Sequence, residues 1–175
     1  VEADQRELLL EDGRLHLAEW RETALLLGGV LCGRQGRAKV DGLMKAALDR
    51  LGPNADLAAK AKCAGLLGAM VNDLRPFQYQ PADGRYRELM DAVLGIFEKD
   101  EAARIEFAVR LEAAEALGKL GSEEAQAALL AHTATKHGDV RRAVARALGQ
   151  FRNAKSADAL KKMALSDESY LVEAE

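Results

Sequence analysis

"VRLEAAEALGKLG" occupies residues 109–121, and "VRRAVARALGQFR" occupies residues 140–152. The two stretches begin 31 residues apart. Both open with Val-Arg, both place Ala at the sixth and eighth positions, and both reach Leu-Gly at the ninth and tenth. Val172, 32 residues beyond Val140, opens a third copy that runs for four residues. Self-similarity at a nearly fixed period is the mark of a repeat architecture. Each unit is one supersecondary element that cannot bury its apolar face alone and must stack on its neighbours.

Within residues 109–121 the apolar set Val109, Ala113, Ala116, Leu117 and Leu120 falls on one face of a 3.6-residue helix. Arg110, Glu112, Glu115 and Lys119 fill the remainder, with Glu115 and Lys119 spaced for an i,i+4 pair. Residues 140–151 repeat the pattern with Val140, Val144, Ala147, Leu148 and Phe151. The Leu-Gly pair also recurs late in an apolar helical pattern at Leu27-Gly28 and Leu67-Gly68, so it serves as a ruler along the chain. The periodicity predicts helices over 3–11, 15–32, 37–51, 55–73, 84–99, 104–119, 122–134, 138–150 and 154–165, with another opening at 169. Gly52-Pro53-Asn54, Gly121-Ser122 and Gly138-Asp139 read as breaks, with Asn54, Ser122 and Asp139 placed as N-caps. Residues 74–83, "LRPFQYQPAD", form the one long irregular connection, whose Phe77 and Tyr79 are expected to pack back on the helices.

Composition agrees. Hydrophobic residues make up 49% of the 175 but aromatics only 5%, and Ala and Leu, which dominate, lose little side-chain freedom in a helix. With only three prolines, long helices go unbroken. No run of about 18 apolar residues exists, so no membrane span is expected. Cys32 and Cys63 stand at unrelated spacing inside apolar stretches, giving neither a disulfide framework nor a zinc site; buried reduced thiols and a cytoplasmic setting are expected. The opening Val and the third copy cut at Glu175 suggest a piece of a longer protein.

"VRLEAAEALGKLGSEEAQAALL" and "VRRAVARALGQFRNAKSADALKKMALSD" resemble short HEAT repeats of the kind seen in phycobilin lyases. The resemblance covers residues 104–175 and rests on the period, the Val-Arg start, the Ala-Leu-Gly end and the Asp-terminated second helix. It implies an all-α fold, an α-solenoid of stacked antiparallel hairpins forming one domain over 1–175. Longer irregular hairpins would occupy 1–103 and regular repeats 104–175, the last truncated. "AEWRETALLLGGVL", "CAGLLGAMVNDLRPFQYQP" and "YRELMDAVLGIF", within 15–103, resemble the helical repeats that follow the nucleotide-binding module of NACHT-type signalling NTPases. In that family such repeats sense a trigger or restrain the NTPase. With hairpins paired as 15–51, 55–99, 104–134 and 138–165, the HEAT resemblance implies that second helices line the concave side. Arg85, Lys155, Asp158, Lys161 and Lys162 are then the expected partner-binding residues.

Catalytic chemistry is not visible. Gly28 and Gly33 have the spacing of a phosphate loop, but Arg34 and Gln35 stand where Lys and Ser or Thr are needed, and a helix precedes them instead of a strand. His132 and His137 are five apart, off one helical face, with no Cys near them. Ser122, Ser156, Ser166 and Ser169 each lie near a helix start or turn, where capping is the usual task. No enzyme activity, cofactor or metal is therefore expected. Residues 136–165 carry eight basic side chains (Lys136, Arg141, Arg142, Arg146, Arg152, Lys155, Lys161 and Lys162) against Asp139 and Asp158. Nucleic acid is the alternative partner for this segment, and a bilin-lyase-like enzyme a further one that lacks any candidate catalytic residue. The overall charge of −3 and the absence of interleaved aromatics for base stacking favour a protein partner.

Overall fold

A computed structural model describes residues 18–52, 54–98 and 107–166. The described residues form α1 (Ala18–Gln35), α2 (Arg37–Leu51), α3 (Leu57–Asp73), α4 (Gly84–Glu98), α5 (Phe107–Leu120), α6 (Glu123–Ala131), α7 (Gly138–Leu148) and α8 (Ala154–Ser166). Short 3₁₀ turns follow α3 and α7, and no strand occurs among the described residues. The helices expected over 3–11 and from 169 lie outside them.

Sequence periodicity becomes packing in a direct way. In α5, Val109, Ala113, Ala116 and Leu117 are buried, and in α7 so are Val140, Val144, Ala147 and Leu148, the same positions one repeat later. Ser122 caps α6 as expected, its hydroxyl accepting from the Ala125 amide at 3.1 Å. Two caps differ from expectation. The cap of α3 is Asp56, not Asn54, its carboxylate accepting from the Ala59 amide at 2.7 Å. His137 occupies the cap position of α7 without a side-chain bond, which leaves Asp139 inside the first turn, where a carboxylate favours the helix dipole.

Two layers result. First helices α1, α3, α5 and α7 stack in order on one side, and second helices α2, α4, α6 and α8 on the other. One apolar core runs between them from Ala24 to Met163. The first layer packs far more closely than the second. The Leu-Gly ruler explains why, because Gly28, Gly68 and Gly118 each receive the next first-layer helix. A Cβ on Gly28 would stand 3.0 Å from Met70 Cγ, one on Gly68 3.0 Å from Leu120 Cγ, and one on Gly118 2.9 Å from Ala147 Cα. Gly65 faces Ala116 in the same manner, which gives α3 two glycines toward α5.

Polar links and fewer apolar contacts join the second layer. Arg85 on α4 reaches Asp49 on α2 at 2.7 Å. The Phe97 ring on α4 meets His132, at the end of α6, edge to face, with centroids 5.2 Å apart. Gln126 on α6, itself buried, donates to Asn153 Oδ1 at 2.8 Å and to Ser156 Oγ at 2.7 Å, where α8 begins. Gln126→Leu removes both bonds and leaves the buried Ser156 hydroxyl without that partner. The expected loss is about 1–3 kcal/mol, measured by urea unfolding.

The irregular connection packs back only in part. Tyr79 is buried and its hydroxyl donates to Asp41 at 2.7 Å, so burial and the carboxylate together push its pKa up. Phe77 stays 46% exposed, a correction to the expectation that both rings would be covered. Its backbone carbonyl, not its ring, is what Arg37 holds, at 2.8 Å.

Candidate functional site

Helices that approach across glycine take less room along the stack than helices kept apart by larger side chains. The layer of α1, α3, α5 and α7 is therefore the more closely packed one, and its surface forms one face of the stack, the inner face. The physical reason is side-chain size at the helix contacts, where Gly and Ala let backbones meet at Gly65 and Ala116 and at Gly118 and Ala147.

A groove of about 430 Å³ lies on this inner face between α5 and α7. Leu111, Ala143 and Ala147 give it an apolar floor, while Glu112 and Glu115 stand on the α5 wall and Arg142 and Arg146 on the α7 wall, with Asp139 and Gln150 at its margins. Glu115 pairs with Lys119 one turn on, which lowers its pKa, and Arg21 from α1 and Arg146 from α7 act on it in the same sense. Lys62 on α3 stands 4.0 Å from Glu112. Acidic and basic side chains are thus mixed along this face, with Glu112, Glu115 and Lys119 on α5 and Asp139, Arg142 and Arg146 on α7.

The expected binding residues do not gather into one site. Arg85, Lys155 and Lys162 line three different depressions. Arg85 is engaged in structure, holding Asp83 with two nitrogens and Asp49 with a third, and its guanidinium lowers the Asp83 carboxyl to about 2. Lys155, Asp158, Lys161 and Lys162 are exposed on α8 in the outer layer. The eight basic side chains of 136–165 divide as well. Arg142 and Arg146 face the groove among carboxylates, while Arg141 donates to the Thr135 and Lys136 carbonyls at 2.8 and 3.1 Å. Among the described residues no group of His, Cys, Asp and Glu could hold a metal ion. No described helix is long and apolar enough to cross a membrane. Cys63 is buried and its thiol is pushed up to about 12 by that burial, which keeps it unreactive.

The family model for HEAT repeats matches residues 96–175. These residues are similar to HEAT repeats. No curated protein and no solved structure matches the chain. The matched HEAT repeats contain α5 through α8 and both walls of the groove. Sequence reasoning placed its expected contacts on the second helices and did not single out Glu112, Glu115, Arg142 and Arg146, which line the groove. The signal that could have found them is the ruler itself, since the glycine-bearing helix of each hairpin is the one able to approach its neighbour closely.

Proposed function

We propose that the chain is a non-catalytic module that holds a protein partner along the face of α1, α3, α5 and α7. HEAT repeats serve in general as scaffolds for protein–protein interaction, and stacked hairpins supply extended curved surfaces. The observation that carries the reading is the α5–α7 groove, with an apolar floor between walls of opposite charge. Such a surface can take both apolar and ionic side chains, as a protein segment offers. The resemblance of 15–103 to repeats beside NACHT-type NTPase modules supports a finer reading, a sensor or regulatory region of a signalling NTPase.

A photo-crosslinking residue at Ala143, within the groove, should trap a discrete protein partner in extract. The adduct should vanish when Glu112 and Glu115 are both changed to Lys. The same probe at Lys161, on the outer layer, should trap nothing that responds to those changes. Adducts only from the outer position would refute the assignment of the face.

Duplex DNA is expected to bind no more tightly than the non-specific range, about 10⁻⁴ to 10⁻⁶ M at physiological salt. The reason is that Arg142 and Arg146 sit among Glu112, Glu115 and Asp139, whose charge repels a phosphate backbone. Fluorescence anisotropy at two salt concentrations measures this. Sub-micromolar affinity lost on changing Lys155, Lys161 and Lys162 to Glu would favour the nucleic-acid reading.

A further inference from the structure

Leu26 is 70% exposed, Val30 49% and Phe77 46%, three of the four large apolar side chains left exposed among the described residues. They lie together. Leu26 and Val30 are one turn apart on α1, and the Phe77 ring comes within 3.9 Å of where a Cβ on Gly33, further along the same stripe, would stand. Apolar side chains scattered singly over a surface need no explanation, but a contiguous group of them marks an interaction surface. Gly28 faces Met70 from the opposite side of the helix, so α1 is seated on α3 with this stripe turned outward. None of the stripe residues lines the α5–α7 groove.

The stripe has an internal symmetry that selects its occupant. About position 28, Leu26 and Val30 lie two residues to either side, Thr23 and Gly33 five, and Glu22 and Arg34 six. All six are exposed. A twofold axis at that level, relating two antiparallel copies of α1, sets each of these residues against its counterpart. We infer that the protein forms a homodimer in which the α1 helices of two chains pair antiparallel through this stripe. Leu26 then meets Val30 of the partner subunit, the Thr23 methyl meets Gly33 of the partner subunit and the ring beside it, and Glu22 meets Arg34 of the partner subunit. Every contact occurs twice. A parallel pair would instead set Glu22 against Glu22 and Arg34 against Arg34, and like charges placed opposite one another reject a partner. A partner of one charge sign satisfies one end of the stripe and is repelled at the other. The second copy satisfies both ends and covers the apolar middle. A single helix face is a small interface, in the class below about 1,200 Å² that gives weak, reversible pairs.

Sedimentation velocity on the whole chain over a concentration series tests the pairing, with the mass expected to rise from one chain toward two. E22R alone and R34E alone each place like charges at both ends of the pair and should weaken association about tenfold or more. Mixing the two variants sets opposite charges against each other again and should restore association, as a heterodimer, to the wild-type level. A folding defect in either variant could not produce that rescue. L26E, at an exposed position, should abolish pairing with the circular dichroism unchanged. A wild-type chain that stays monomeric throughout the series would overturn the inference. If in addition L26E lowered the unfolding midpoint, the stripe would be covered by another part of the same chain. Dimers that L26E leaves intact would overturn the assignment of the surface, and dimers indifferent to both E22R and R34E would overturn the antiparallel pairing. The groove crosslinking experiment reads a different surface and decides the protein-binding reading separately.

Discussion

Leu117→Ala and Leu148→Ala are each expected to destabilise the protein by about 2–5 kcal/mol, the range for truncating a buried leucine. Both side chains are fully buried at equivalent places in successive repeats, Leu117 in α5 and Leu148 in α7. Leu117 sits beside Gly118, where the backbones of α5 and α7 already hold position against one another. The cavity left by truncation therefore has little freedom to collapse, which argues for the upper part of the range. Urea unfolding followed by circular dichroism measures the change. A loss below about 0.5 kcal/mol at both sites, the scale of a surface substitution, would show that these leucines do not form the inter-repeat core.

Gly118→Val should cost about 3 kcal/mol, near the top of the range for overpacking a filled contact. A Cβ there would stand 2.9 Å from Ala147 Cα and 3.0 Å from Ala147 Cβ, atoms fixed to the backbone of α7 and unable to rotate aside. The helices must separate, and the groove between them changes width. Gly28 and Gly29 provide internal controls. At Gly28 the obstacle is the flexible Met70 side chain, so Gly28→Ala should be tolerated. At Gly29 nothing among the described residues lies within 4 Å, so Gly29→Ala should be neutral or stabilising by up to ~1 kcal/mol, the helix-propensity gain. Equal effects at Gly118 and Gly29 would remove the seat interpretation.

Much of the architecture was legible because helix periodicity is a local property. The helix expected over 37–51 is α2 (Arg37–Leu51), and that expected over 154–165 is α8 (Ala154–Ser166). Cap placement was less legible. Asn54 and Asp56 are both good cap residues two positions apart, and only the start of α3 at Leu57 selects Asp56. The sidedness of the stack was not legible from amphipathicity, because both helices of a hairpin bury an apolar stripe and expose a charged one. Burial of Val109 and Leu117 in α5 says the same as burial of Leu89 and Val93 in α4. Only the size of residues at the contacts between neighbouring units separates the layers, and Gly68 and Gly118 carried that information unread. Arg85 was singled out for its place on a second helix, and spacing could not show that Asp49 and Asp83 hold its guanidinium.

The same glycine seats govern how the molecule responds to force. Curling the stack further would drive Ala147 into the Gly118 backbone, so compression on that side meets a hard stop at once. Straightening it meets no such barrier, only the gradual loss of contacts, and the second layer offers a few polar bonds such as Gln126 to Ser156 that can yield and re-form. A seat of this kind would act as a one-way limiter, stiff against closing on the first-layer side.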